Sequence, residues 1–550
     1  FSNLIISGNE LMSLEDIIID ENIEEDLYSS FSLFEIKEFG YQLKSKLINK
    51  WNILGVEHSI SEEERIRKLQ HSETVINTVT GINFVPSYPF FILTILQSIE
   101  LGNPTDLSAS TFGHYYQFLI QKSFTNVLSS QREITEYENY LSELSFYLYD
   151  NSLRDFDIHE FEKFDAQYRK DYTISHSLDR ITQNLINAKI LDNHSGLLEY
   201  KYSYVHYFFI SNYLASHISE KRIKEIITSL TDSLYKTEYS NILMFLTHHS
   251  KDEFLLTELL TKSKSIFNDL APCELQDDIK SINKLGEKIP ELVFKSRSID
   301  EYREEENLLK DEHLENNTKN KELPDTTEDE IDDEINIVAK LNTAFKSIEI
   351  VGQILKNNYG KIGNSTIEAL IEETILLGLR TLNVFFSIIE ENSEFVINQV
   401  NAVITELEKS RGKKVDNPKK IESLSKSTLF GLCNQISYSF IKKISDSIGT
   451  EYLNDILEKV YAKQDYNSVK LIKLAIKLDH YKGFPDSDIK KLKKELNNSH
   501  LPTQIMKRLV VNHLYLYPTN YTQKSKILSF LEIPIESQLR IDKVTKQRKK

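Results

Sequence analysis

The chain has 550 residues, a net charge of −17, 40% apolar and 27% charged residues; this is globular composition, too long for one core and neither disordered nor membranous. Only 16 Gly and 11 Pro favour long helices over many short strands. The acidic balance argues against nucleic acid as a general partner, since phosphate binding needs a basic face.

The chain starts at Phe1, and Asn3-Leu4-Ile5-Ile6-Ser7 reads as a buried strand entered mid-domain. Such a strand needs neighbours, so an N-terminal part of the protein is expected to precede it. After an acidic loop (residues 20–26), Leu43, Leu47, Ile48 and Trp51 line one face of a helix, with Lys44, Lys46 and Lys50 elsewhere. A second helix follows Pro89. A third carries Tyr115, Tyr116, Phe118, Leu119 and Ile120. The apolar run Phe90-Phe91-Ile92-Leu93-Thr94-Ile95-Leu96 is too short to span a bilayer, and no signal peptide is visible.

Residues 131–220 have another grammar. Tyr137, Leu141, Leu144 and Leu148 form one helical stripe; Leu178, Ile181, Leu185 and Ile186 form another, with Ser175 or Ser177 as its N-cap. Asp192-Asn193-His194-Ser195-Gly196, set between two short apolar runs, reads as a hairpin turn. Helix, helix, hairpin and closing helix are the order of a winged-helix domain. Residues 221–297 read as a helical domain. Residues 298–334 are polar and strongly acidic, and read as a linker with a helical start. From 335 to 550 helical stripes resume, as a solenoid or an irregular bundle. There Gly352 permits close backbone approach and Asn357-Asn358-Tyr359-Gly360 ends a helix. The basic tail, Lys543 to Lys550, reads as a solvated terminus.

Catalytic motifs are scarce. Gly360-Lys361 and Gly412-Lys413 are followed by Ile362 and Lys414 and lack the upstream glycine, so neither is a phosphate loop. No HExxH, EF-hand or GxSxG pattern occurs. His206, His248 and His249 have no suitably spaced Cys, Asp or Glu partners and read as surface or core histidines, not metal ligands. Cys273 and Cys433 stand far apart, which excludes a disulfide scaffold and suits a reducing cytoplasm.

Three stretches, in order, resemble STAND NTPases of the bacterial NACHT-like type, particularly the antiviral Avs-type branch. Leu4-Ile5-Ile6-Ser7-Gly8, followed by the helix Phe39-Gly40-Tyr41 to Trp51, is similar to the sensor strand and helix that end the nucleotide-binding domain. Val85-Pro86-Ser87-Tyr88-Pro89-Phe90-Phe91 resembles the helical-lid proline motif. Tyr202-Ser203-Tyr204-Val205-His206-Tyr207-Phe208-Phe209, continuing to Ala215, resembles the winged-helix signature. The segments around Gly352-Gln353-Ile354 and Leu377-Gly378-Leu379-Arg380 also look like C-terminal regions of bacterial STAND proteins. The sensor strand departs from the pattern, ending Ser7-Gly8-Asn9 without an arginine.

The resemblance implies a mainly α fold: the remnant of an α/β nucleotide-binding domain (1–25), a helical lid (26–130), a winged helix (131–220), then helical sensor regions. It implies that Pro89 lies against adenine and that a winged-helix side chain reaches the β-phosphate. Tyr202 falls at that register and His206 one turn away, which leaves the choice between them open. ATP or ADP with Mg would be held only together with the N-terminal core, since the chain has no Walker A or B segment and is not expected to be catalytic alone. The winged helix is expected to latch nucleotide, not to read DNA, because its second helix offers Asp179, Gln183 and Asn184 with only Arg180 and Lys189 as cations. A protein trigger, phage-derived in the antiviral branch, would drive homo-oligomerisation in the cytoplasm and activate an effector. The rival readings are a helical scaffold without nucleotide and a winged-helix transcription regulator.

Overall fold

The structure, a computed structural model, describes residues 36–80, 85–101, 112–285, 292–295, 297–319, 333–410, 418–480, 483–496 and 499–536. The expected sensor strand, Gly412-Lys413, residues 320–332 of the acidic run and the basic tail lie outside them. The described chain is mainly helical, with one three-stranded sheet among the described residues.

The segment expected to form the lid comprises α1 (Tyr41–Ile53), α2 (Glu62–Val79), α3 (Pro89–Leu101) and α4 (Phe112–Thr125). Ser61 caps α2 by accepting from Glu64 N, and Glu62, Glu63 and Glu64 place negative charge at its positive end. Tyr116 of α4 is buried and donates its hydroxyl to the Val79 carbonyl at 3.2 Å, closing α4 onto the end of α2. The face expected of α1 is only partly right. Ile48 is buried, but Leu43 is 49% exposed and Lys44 is buried instead.

Next come α5 (Gln131–Asp150), β1 (Asp155–Phe156), α6 (Ile158–Asp171), α7 (Leu178–Asn187), β2 (Leu191–His194), β3 (Leu197–Tyr200) and α8 (Ser203–Ser216). The sheet order is β1-β3-β2, all antiparallel, with Asp192 opposite Glu199 and Phe156 opposite Leu198. This is winged-helix topology. Ser177 is the cap of α7, accepting from Arg180 N, whereas Ser175 donates its hydroxyl to Glu136 at 2.7 Å. Ser195 (φ 53°) and Gly196 (φ 91°) turn the hairpin, the positive-φ pair a tight two-residue loop requires. Helix α8 is apolar all round and needs burial on every side. Tyr204, Val205, Phe208 and Phe209 enter the core shared by the lid and winged helix, while Ile210 and Leu214 enter the core of the C-terminal helices.

Helices α9 (Lys221–Asp232), α10 (Thr237–His249), α11 (Glu253–Ser265) and α12 (Lys280–Leu285) follow. Then comes the main departure from the linker expected over 298–334. Helix α13 (Ile299–Lys319) is 21 residues long and packs against α1 on one side and the C-terminal helices on the other. On the lid side Arg303 is 2.6 Å from Glu73 and bonds Gln70, Arg65 meets Asp300 at 2.8 Å, and Lys46 meets Glu304 at 3.1 Å. Asp311 accepts from Tyr41 N at 2.5 Å and Gln42 N at 3.0 Å, capping α1 from a distant part of the chain. A Cβ on Gly40 would lie 2.5 Å from Asp311 Oδ1, so this cap needs glycine there. On the other side Tyr302 stacks on Tyr515 at 4.5 Å and donates to Asn512. Low apolar content argued against order, but here long-range ion pairs, caps and two tyrosine rings replace the missing apolar stripe.

The rest comprises α14 (Asp333–Asn358), α15 (Asn364–Glu391), α16 (Ser393–Ser410), α17 (Pro418–Ile448), α18 (Asn454–Lys463), α19 (Asn467–His480), α20 (Asp486–Glu495), α21 (His500–Leu516) and α22 (Tyr521–Phe530). Solenoid repeats touch only their neighbours. Here α17 touches α12, α14, α15, α16, α19 and α21, so the region is a bundle around α17. Gly352 and Gly378 bring α14 and α15 against that helix. A Cβ at Gly352 would lie 2.1 Å from Ser447 Oγ, and one at Gly378 2.5 Å from Ile444. Buried Arg380 pairs with Glu373 at 2.6 Å and donates to the Ser263 and Ile266 carbonyls, fastening α15 to the end of α11.

Candidate functional site

Pro89 begins α3, where its missing N–H costs nothing and its fixed φ suits the first turn. The approach is pinned: Ser87 N donates to Glu38 at 2.7 Å and Phe39 N donates to the Ser87 carbonyl at 3.0 Å. That fixes where Tyr88 and Phe90 project, and both are exposed, at 36% and 59%. Phe91 turns inward and meets Tyr202 edge-on, with ring centroids 5.3 Å apart.

Tyr202 is the N-cap residue of α8 and makes no side-chain cap. Its half-buried ring stacks on Tyr204 at 6.0 Å, and the Lys201 ammonium stands 6.0 Å from its centroid. Burial raises its hydroxyl pKa, and Lys201 works against that rise. Lys201 also pairs with Asp192 across the hairpin. Lid and winged helix thus meet along an aromatic rim (Tyr88, Phe90, Phe91, Tyr202) with one cation beside it. Such a rim offers ring faces for stacking and a positive charge for an anion.

His206 is placed elsewhere. Its Nε2 donates to the Ser145 carbonyl at 3.2 Å, and its ring lies flat on Tyr200 at 4.6 Å. The Tyr200 hydroxyl in turn shares a hydrogen bond with Ser145 Oγ at 2.6 Å. Burial lowers the His206 pKa to about 4, so at neutral pH it is an uncharged ring locking α8 to α5. The structure therefore joins the Pro89 end of α3 to Tyr202 and leaves His206 out. Phe91 and Lys201 are the residues that sequence reasoning passed over. The signal available was position, since Phe91 closes the lid motif and Lys201 directly precedes the winged-helix one.

Residues 155–210, from β1 into α8, match the family model described as Novel STAND NTPase 4. No curated protein and no solved structure matches the chain. The matched segment is the sheet, α6, α7, Tyr202 and the first half of α8, which carries His206, and it supports a relationship to the STAND NTPases. Among the described residues, no helix is long and apolar enough to cross a membrane, and no group of three His, Cys, Asp or Glu side chains is placed to hold a metal ion.

Proposed function

We propose that residues 36–216 are the lid and latch of a STAND signalling NTPase, and that the helices beyond them are its sensor. The observation that carries this reading is the Phe91–Tyr202 contact. It ties the proline end of the lid helix to the winged-helix segment that resembles the family. ADP or ATP fits this rim on one side only: the aromatic rings and Lys201 present a base-stacking surface and a charge, and the chain has no glycine loop for the phosphates. Mg-nucleotide would therefore be held jointly with an N-terminal core, which would also supply hydrolysis. Tyr202 would orient the nucleotide from the latch side. Separation of α3 from the Tyr202 turn would release it, and a ligand drives that change only through different affinity for the two states. A protein trigger binding the bundle around α17 would supply this difference, leading to homo-oligomerisation and effector activation in cytoplasmic antiviral defence.

Nucleotide calorimetry on the full-length gene product tests the reading. Tyr202→Ala and Pro89→Ala should each weaken ADP binding, roughly tenfold for a lost stacking or positioning contact, and His206→Gln should not. Absence of nucleotide binding in the parent protein would sink the switch and leave the scaffold reading.

A further inference from the structure

Helix α7 is the element that a DNA-reading winged helix lays in the major groove, and the latch makes no use of it. Here it lines one side of an open cleft of about 770 Å³. Arg180, Gln183, Asn184 and Asn187 follow one another at i, i+3, i+4 and i+7, on the flank of α7 turned away from Ile181 and Leu185. Asn126 and Val127, in the turn after α4, form the other side, and Ser177 and Asp179 at the start of α7 complete the lining.

Both sides are held by one ring. Buried Tyr137 of α5 meets Phe124, near the end of α4, edge-on with centroids 5.9 Å apart. The Phe124 carbonyl accepts from Val127 N at 2.9 Å and Leu128 N at 2.8 Å, which fixes the turn carrying Asn126. On the other side the Tyr137 hydroxyl accepts from Asn184 Nδ2 at 2.8 Å and lies 3.1 Å from His176 Nδ1. Asn184 is only 3% exposed, yet it forms part of the cleft wall. Its Oδ1 takes no hydrogen bond from any described residue. A side chain this buried, held by its nitrogen, needs a donor for its oxygen from whatever fills the cleft.

The lining narrows the occupant. One Asp and one Arg leave no net charge, so the cleft offers nucleic acid no basic face. No aromatic side chain lines it, so a sugar ring has no apolar face to stack on. It offers instead a row of primary amides, each both donor and acceptor, as the main chain of a peptide is once per residue. From Arg180 to Asn187 the stripe runs roughly 10 Å at 1.5 Å per residue, the length of about three residues of extended chain.

We infer that this cleft binds an extended, uncharged segment of a partner protein through that segment's main chain. Gln183, Asn184 and Asn187 pair with successive peptide groups, and Asn184 Oδ1 accepts a main-chain N–H. The site does not depend on the nucleotide latch, since neither Pro89 nor Tyr202 lines it.

The experiment is fluorescence anisotropy on the whole chain with three end-labelled, end-blocked octapeptides of unrelated, uncharged sequence. Saturable binding of all three is expected, with affinities within roughly tenfold of one another, since the main chain supplies the contacts. N-methylation of alternate peptide nitrogens removes main-chain donors and keeps the side chains; it should weaken binding about tenfold or more. Gln183→Ala/Asn187→Ala, at two exposed positions, should weaken all three peptides by as much. This double variant should melt no lower than the parent, since alanine favours the helix; that separates lost binding from lost folding. No saturable peptide binding, or equal binding by the N-methylated peptides or by the double variant, overturns the inference. So does tighter binding of a labelled DNA duplex or of maltohexaose that the double variant abolishes.

Discussion

The winged-helix unit and helix α13 are held in place by opposite means. In the winged helix the Tyr140 ring sits among Phe161, Phe164 and Tyr168, with centroids at 6.2, 5.2 and 4.7 Å. Phe161 and Tyr140 are fully buried. Helix α13 has no such stripe: Leu308, Leu309 and Leu314 are all 45–49% exposed. It is fixed by Arg303–Glu73, Arg65–Asp300, Lys46–Glu304 and the Asp311 cap. Burial of these apolar rings is driven by a non-directional effect that needs no charged group. Ion pairs depend on both partners being charged, and caps on a charged acceptor, and both on correct placement. The difference shows that order in a polar segment is a property of what it docks on, which composition cannot reveal.

The sharpest break in this contrast comes from the aromatic side. Phe161→Ala should destabilise the winged helix by about 3–5 kcal/mol, read as a lower urea midpoint of unfolding with an unchanged salt dependence. Arg303→Met leaves Glu73 as an unpaired, mostly buried charge and should cost about 3 kcal/mol. Adding Glu73→Gln should recover part of that loss, and a double-mutant cycle without coupling would refute the pairing. Hydrogen exchange should report faster opening of α13 and α1 in the single variant, with the winged helix unaffected.

The pH response separates the two regions further. Burial holds the His206 pKa at about 4, below its usual 6.5. The unfolded chain therefore takes up a proton between those values that the folded state refuses. Stability present above pH 6.5 is lost as pH falls through about 4. His206→Gln should flatten that slope by roughly 2 kcal/mol at most, measured as the urea midpoint at pH 7 and pH 5. His480 and His513, also lowered to about 4 by burial, should keep the bundle acid-sensitive in that variant. The smallest effect is expected at Lys46→Ala, whose ion pair is more than half exposed on both sides. It should cost less than about 1 kcal/mol and vanish at high salt.

Legibility followed the range of the interaction. The hairpin was readable because Ser195 and Gly196 sit beside the apolar runs they join. The Ser177 cap, the close approach at Gly352 and the end of α14 at Asn358 were local for the same reason. Lys44 was not legible: an alternating pattern puts it with the solvent-facing lysines, yet α13 covers it, and Asp311 and Glu38 counter the burial that lowers its pKa. The choice between solenoid and bundle also lay beyond sequence, since it depends on which helices α17 touches. At the candidate site, the motifs single out Pro89, Tyr202 and His206 alike. Only the folded register of α8 separates Tyr202, facing Phe91, from His206, facing Ser145.

The cap that Asp311 places on α1 spans 270 positions of sequence. During synthesis the lid leaves the ribosome long before α13 exists, and N-terminal units fold as they emerge. Until then the Tyr41 and Gln42 amides must be satisfied by water, and Lys44 stays uncovered. A nascent chain halted before residue 299 would therefore carry a folded winged helix beside a loosely closed lid. Completion of the lid is delayed until residue 311 has been made.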